Sequence, residues 1–498
     1  MPLHTARTRS RTRAPAVSLR LDIGENFANK SAEIARQLRK AISSGILRPG
    51  DRIASTRQLA SDLGVARGTA FTALELLIAE GLLETRQGSG TFVSPDARST
   101  TVPVASGKNP LPQPKISIIP DVDSDDGSLI NCQPCRPSVA EFPVPVWRRC
   151  MSFAASARPA SNYGDPMGSW DLRESISHYL RRSRAFDADP SQIIVTNGAI
   201  HALYLLATAY LDRESAVAME NPGYPLARQV FGLTGAEIVN IPVDEQGMQT
   251  SELSKIGENC QLAYVTPSNQ FPMGSRLSLQ RRCELLEWAS ENRVLLLEDD
   301  YDGEFRYDVA PLPPLASLPH DGHVIYLGTF SKTMYPGLRV GFAVAPKPII
   351  EVIAGLRTIT DYQSNTVTQR ALAKFIDDGE YEKHVHRMRR TYARRRAVLA
   401  DLLGNHGNDM VLRGIDSGIN ALVQLQNGTS AADVAREARG MGVSMAPLTR
   451  YDYENENGAD HSLVIGYGAL ESHEIVDVVS ALASSSRLAK RNRVRDPN

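Results

Sequence analysis

The sequence predicts an α/β chain in two folded parts: a small winged helix-turn-helix head and a large body on a mostly parallel central sheet. Three observations carry this expectation. Between residues 28 and 94, helical periodicity gives way to a short glycine-tipped hairpin. In the body, the apolar runs Val294-Leu295-Leu296-Leu297 and Val324-Ile325-Tyr326-Leu327 each lead into polar residues. Buried parallel strands deliver functional groups at their carboxyl ends in this way. Charge, finally, is divided: residues 1–95 carry 14 Lys+Arg against 8 Asp+Glu, whereas the remainder carries 41 against 48. A basic small part joined to an acidic large one is the footprint of a chain in which only the small part meets nucleic acid.

Composition bounds the rest. A length of 498 residues suits two or three domains. An apolar fraction of 42% with 22% charged residues is that of an ordinary globular protein. No run approaches the roughly 18 apolar residues of a membrane span, so no membrane partner is expected. Arg7, Arg9, Arg11 and Arg13 precede no apolar stretch, so residues 1–27 read as a disordered basic arm and not a secretory signal. Five cysteines, sparse and odd in number, point to a reducing cytoplasm. Cys132 and Cys135 have C-x-x-C spacing without a second pair nearby, and no metal is expected.

The head is read over residues 28–94. Ile34, Leu38, Ala41 and Ile42 share one face of a first helix, which Gly45 and Pro49-Gly50 end. Ser55 is the N-cap of a second helix, Thr56 to Leu63, and Gly64 turns the chain into a third, Arg67 to Glu80. Leu82 to Val93 then forms a hairpin with Gly88-Ser89-Gly90 at its tip. A recognition helix offers its first residues to base edges, which selects Arg67 and Thr69. Arg57 can reach a phosphate, and the bulk-free Gly88, Ser89 and Gly90 can approach the DNA backbone or minor groove. The segments Arg-Pro-Gly-Asp-Arg (48–52), Ser-Thr-Arg-Gln-Leu-Ala (55–60) and Arg-Gln-Gly-Ser-Gly-Thr-Phe-Val (86–93) closely resemble the GntR family of bacterial regulators. One departure is Ala66, where that family usually has Ser. The resemblance implies an operator DNA partner.

Residues 95–128, rich in Pro, Ser, Asp and Gly, read as a linker able to span roughly 30 Å as a flexible coil. In the body, 129–485, Lys332 lies beside Ser331, with Asp299 thirty-three residues before it and Arg339 seven after. A lysine amine suits an aldehyde cofactor as its Schiff-base partner, while a hydroxyl and a guanidinium suit its phosphate. Asp299 would keep a pyridine nitrogen protonated. Tyr301 can hydrogen-bond the cofactor's phenolic oxygen. Gly198 and Ala199 open a helix after the strand-like Ile193–Thr196, where backbone N–H groups suit phosphate.

This ordered set resembles fold-type I pyridoxal 5'-phosphate aminotransferases. The resemblance implies that pyridoxal phosphate is the cofactor, that Lys332 is the catalytic lysine, and that Tyr224 stacks on the ring. Tyr163 would reach the phosphate in a neighbouring subunit's site, and Asn269 would lie in the loop that contacts the 3-oxygen. Asn269 replaces a common His, Met273 a common Thr or Ser, and Ile200 and His201 replace residues usually polar. Val464 occupies the position where a catalytic relative carries the carboxylate-gripping arginine, with Arg228 and Arg450 as candidate substitutes. Head, linker and body together resemble the MocR subfamily of GntR regulators, which the helix His384–Arg396 resembles as well, its basic side read as a solvated face. That implies a head-to-tail homodimer, cytoplasmic and nucleoid-associated when on DNA, whose body answers to a small amine or to pyridoxal phosphate itself. Two alternatives are a working aminotransferase with a DNA-binding appendage and a cofactor-free dimerisation body. Residues 486–498 read as a disordered basic tail.

Overall fold

The computed structural model describes residues 17, 21, 29–97, 127–307, 312–405, 409–426, 428–454 and 459–495. The basic arm, apart from Val17 and Leu21, and the linker between 98 and 126 lie outside the described residues. The chain divides into two compact units, Met1–Ser117 and Ile118–Asn498.

In the first unit, helix α1 (Lys30–Ser43) opens with the Asn29 side chain accepting from the Ala32 amide. Helix α2 (Thr56–Asp62) is capped by Ser55, whose hydroxyl accepts from Gln58 at 3.2 Å. Helix α3 (Arg67–Ala79) begins at Ala66 with no side-chain cap. Ile34, Leu38 and Ile42 from α1 meet Ala70, Leu74 and Leu77 from α3 in one buried cluster, the payoff of their helical spacing. Strands β1 (Leu83–Arg86) and β2 (Gly90–Val93) pair antiparallel with Arg86 opposite Gly90, forming the wing. Gly88 turns at φ +74, the left-handed region that glycine reaches without a Cβ penalty.

The second unit is built on an eight-stranded sheet among the described residues. Its order is Ile193–Thr196, Gly341–Val344, Val324–Thr329, Leu295–Asp299, Cys260–Val265, Ala216–Asn221, Glu237–Asp244 and Gly247–Met248. The middle strands are parallel to one another, while Gly341–Val344 runs antiparallel to both neighbours. Both faces are buried. Val195, Ala263, Leu296 and Tyr326 point into one cluster, and Ile194, Leu262, Leu297 and Ile325 into the other. Strands covered on both sides have no reason to alternate apolar with polar, which is why the sequence shows runs.

A smaller antiparallel sheet follows, in the order Met410–Arg413, Asn420–Leu425, Ser462–Gly466 and Ala446–Pro447. Ile130–Asn131 pairs with Val443–Ser444, so the start of the body is fastened to this C-terminal lobe. The expected disordered tail is corrected: a helix runs Ser472–Arg495, and Ala489 within it is only 4% exposed, because packing carries the helix past Arg487. The solvated reading of the basic helix also needs correction. In Glu380–Gly404, Arg395 is 2% exposed and donates to the Gly468 carbonyl and Glu471, while Arg389 donates to the Glu304 carbonyl. No described helix is long and apolar enough to cross a membrane.

Leu77 is fully buried where α1 and α3 meet. Leu77→Ala is expected to cost the head about 2–5 kcal/mol by leaving a cavity. Calorimetry of the full chain should show the head's unfolding shifted down, with the body's transition in place.

Candidate functional site

The register between Val324–Thr329 and Leu295–Asp299 sets Leu327 opposite Asp299, so both strands end side by side. Asp299 therefore emerges at the sheet's carboxyl edge next to the turn that carries Ser331 and Lys332. On the other side, Gly341 lies opposite Thr196, so the strand that precedes Gly198 and Ala199 ends at the same edge. Asp299, Lys332, Ser331, Arg339, Tyr224, Tyr301 and Ala199 all line one cavity of about 550 Å³, its solvent-facing mouth included.

Lys332 donates from Nζ to the Cys135 carbonyl at 2.9 Å. Asp299 is 3% exposed; its Oδ2 accepts from the Tyr264 hydroxyl at 2.7 Å, while Oδ1 is buried without a partner. Ser331 Oγ is likewise buried and unpartnered. Buried polar atoms are seldom left unsatisfied, so two of them at one cavity mark a place built to receive polar groups. Arg339 donates from Nη2 to the Asn197 carbonyl at 2.6 Å, and its guanidinium lies over Gly198, where a Cβ would stand 3.1 Å from Nη2. Gly198, at φ +93, caps the helix Ala199–Tyr210 with no side-chain acceptor, leaving the first amides of that helix available.

The helix start is braced from behind. The Asn197 side chain donates to Asp361 at 2.7 Å and accepts from Ser364 at 2.7 Å, and the His201 ring accepts from the Asn197 amide at 3.1 Å. His201, noted in the sequence for its departure from the common pattern, thus holds the loop from within, and burial pushes its pKa down.

Three sequence-selected residues lie apart from the cavity lining: Gly198, whose neighbour Ala199 lines it, Asn269 and Tyr163. Asn269 is 4% exposed and fully engaged: it donates to Asp302 at 2.8 Å and to the Tyr301 hydroxyl at 3.1 Å, and accepts from Ser417 at 3.1 Å. Tyr163 is 77% exposed and stacks on Tyr362, ring centroids 5.1 Å apart. Tyr264, Phe271, Thr329 and Cys135 line the cavity without having been singled out. For Tyr264 a signal was present, since it sits on the strand next to Asp299 one residue before a strand end. For Cys135 there was none, because its place follows from the distant pairing of Ile130–Asn131.

Val464 is fully buried among Phe271, Tyr301, Leu422 and Tyr451. Neither candidate substitute arginine lines the cavity: Arg228 donates to Asn240 and lies 4.0 Å over the Tyr453 ring, and Arg450 donates to Gln133 at 3.2 Å. In the head, Arg57 and Arg67 are exposed at the starts of α2 and α3, Thr69 is half-buried, and Gly88 and Ser89 are exposed at the wing tip. Gly90 is half-buried, and the Arg52 side chain lies against it.

Comparison with known proteins yields two family matches, "Bacterial regulatory proteins, gntR family" over residues 30–93 and "Aminotransferase class I and II" over residues 135–454. The chain is 34% identical to the HTH-type pyridoxine biosynthesis transcriptional regulator PdxR of Corynebacterium glutamicum, covering 92% of this chain and 96% of that one. It is 32% identical to the probable rhizopine catabolism regulatory protein MocR of Rhizobium meliloti, covering 91% and 93%. The body is similar to the multiple substrate aminotransferase of Thermococcus profundus, with a TM-score of 0.68, 25% identity, and coverage of 74% of this chain and 93% of that one.

Of the buried carboxyls, Asp299 lines the cavity and Glu220 does not. Burial pushes Asp299 up to about 6, although the Tyr264 hydrogen bond pulls it down, and pushes Glu220 up to about 7 against its bonds from Thr266 and Gln270. A carboxyl raised in the folded state takes up its proton on folding. Its penalty is therefore absent below the unfolded pKa of 4.5 for Glu220 and grows as pH rises toward about 7. Glu220→Gln is expected to stabilise the body at pH 8 by up to about 3 kcal/mol and to be near neutral at pH 4. Melting temperature against pH checks this; a gain independent of pH would refute it.

Proposed function

The chain belongs to the MocR/PdxR-type HTH transcriptional regulators, a GntR head on an aminotransferase class I and II body, and on that premise we propose that pyridoxal 5'-phosphate at Lys332 makes the body a sensor. GntR-type HTH regulators bind operator DNA, and this chain's head is of that type. The observation that carries the cofactor reading is the pair of buried, unpartnered atoms, Asp299 Oδ1 and Ser331 Oγ, on the cavity that Lys332 and Arg339 also line. Their chemistry fits a phosphorylated pyridine aldehyde at each end.

Bound there, pyridoxal phosphate would supply an aldehyde that condenses with amines and a ring that withdraws electrons. Lys332 would hold the aldehyde end with its amine. Asp299 would keep a proton on the ring nitrogen, and the ionised carboxylate would then be paired in place of being a lone buried charge. Ser331, Arg339 and the amides at Gly198 and Ala199 would hold the phosphate. Tyr224 would pack against the ring, and Tyr301 would offer its hydroxyl to the phenolic oxygen. Asn269 serves through Tyr301. The exposed Tyr163 completes the pocket of a second copy in a head-to-tail homodimer.

The effector is pyridoxal phosphate or a small amine. The relative named for pyridoxine biosynthesis favours the cofactor itself. Among the described residues, Arg339 is the arginine lining the cavity and is committed to the phosphate end. With Val464 buried in an apolar cluster, nothing in the lining grips an α-carboxylate as a working aminotransferase must. A switch of this kind requires about 1–3 kcal/mol of coupling between pocket and operator. The protein works in the cytoplasm, on the nucleoid.

Purified protein supplied with pyridoxal phosphate should be yellow. Lys332→Ala should lose the visible band while far-ultraviolet dichroism stays unchanged, and a retained band would overturn the lysine assignment. Arg67→Ala should cost about 1–3 kcal/mol in discrimination between operator and mismatched duplexes, read by competition at fixed salt. Binding to DNA upstream of its own gene, with the cofactor stripped and restored, decides which effector operates. A change with pyridoxal phosphate alone identifies the cofactor, and equal binding leaves an amine.

A further inference from the structure

The turn Asp416–Asn420, which leads into a strand of the C-terminal lobe, reaches the pocket by two separate chains of hydrogen bonds. In the first, Ser417 donates to Asn269 Oδ1 at 3.1 Å, and Asn269 donates to Tyr301 Oη at 3.1 Å. In the second, Asn420 Oδ1 accepts from the Cys135 amide at 2.7 Å, and the Cys135 carbonyl accepts from Lys332 Nζ at 2.9 Å. The turn fits without slack. Gly418 has φ +75, and a Cβ there would stand 2.1 Å from Asn269 Nδ2 and 2.5 Å from Asp302 Oδ2. The Gly418 carbonyl accepts from the hydroxyls of Tyr307 at 2.6 Å and Tyr467 at 2.8 Å.

The donor directions matter. Because Asn269 gives a proton to the Tyr301 oxygen, the Tyr301 hydroxyl keeps its own proton for the cavity that it lines. A hydroxyl that accepts one hydrogen bond is a stronger donor in the next. Asn269 is itself fixed on a second side by Asp302, whose Oδ1 is buried and unpartnered. Lys332 is positioned differently, by a carbonyl whose own residue is tied to Asn420.

We propose that Ser417, Asn269 and Asn420 are positioning residues through which the C-terminal lobe sets both pocket groups at once, the donor strength of Tyr301 and the reach of Lys332. This rests on the reading of Lys332 as the cofactor-bearing lysine. A shift of the lobe at the turn changes both groups together, so pocket occupancy and lobe position are linked.

The test uses the full chain in two states. Loaded with pyridoxal phosphate, the visible band is titrated against pH. Asn269→Ala and the milder Ser417→Ala should move its midpoint upward, by about one pH unit for the loss of one hydrogen bond to Tyr301. In a Tyr301→Phe background the same changes should add nothing. An unmoved midpoint, or an equal shift in that background, overturns the first arm. Free of cofactor, labelling of Lys332 by trinitrobenzenesulfonate is followed by mass spectrometry to the high-pH plateau of its rate profile. Asn420→Ala should raise that plateau about fivefold, the scale of one lost hydrogen bond, and an unchanged plateau overturns the second arm. A wild-type protein with no visible band would sink the cofactor reading instead, and the labelling result still decides the second arm.

Discussion

The pocket depends on one pairing, the parallel register that sets Leu327 beside Asp299. Parallel strands end together at one edge, so residues far apart in sequence arrive at one place without any loop having to bring them. The same edge is closed on its other side by close backbone approach. A Cβ on Gly341 would stand 2.9 Å from the Gly198 Cα and 2.9 Å from the Gly328 carbonyl, and a Cβ on Gly328 would meet the Phe342 ring at 2.2 Å. Bare backbone at these positions lets the helix start at Gly198 sit against the strand end, under Arg339.

Neighbouring acids on one strand and its loop are all buried yet meet different fates, and the balance of burial against charged partners decides which. Glu298 faces the body's interior, where burial pushes it up to about 7 despite Arg282 and the amides of Leu315 and Ala316. Asp300 is buried too, yet Arg184 and Arg306 outweigh that burial and hold it below the usual carboxylate range. Asp299 has a tyrosine and a distant lysine, and one of its oxygens has no partner. An unpartnered carboxylate oxygen on the cavity is something the strand order alone could not have revealed.

The body has the fold of an aminotransferase, and the chain is a regulator. The strand Ser462–Gly466 carries an apolar Val464 into a core with Phe271 and Tyr301, a place where a buried arginine would need a carboxylate partner. The polar turn Asp416–Asn420 of the C-terminal lobe is hydrogen-bonded to Asn269, which stands behind Tyr301, and to Cys135, which lines the cavity.

Much was legible in the sequence because it is local. Period and capping placed α1, α2, α3 and the hairpin of the head; continuous apolar runs announced strands buried on both faces; and Asp299, Ser331, Lys332 and Arg339 were found by their order along the chain. The helix, cap and strand signals survive without tertiary contact since each rests on neighbours within a few residues, whereas the Asp299 to Arg339 set was read from its order along some forty residues. Asn269 was selected for its loop, but its three partners come from residues more than thirty positions away, so its place behind Tyr301 could not be read. Cys135 reaches Lys332 across 197 residues and Asn420 across 285. The helical course of the chain to Arg495 and the burial of Arg395 were hidden for the same reason, since burial is a property of what packs above a residue and not of the residue itself. The sequence determined which chemical groups are present and which element carries each; only the tertiary structure decided which of them face the cavity, which stand behind, and which oxygens are left without a partner.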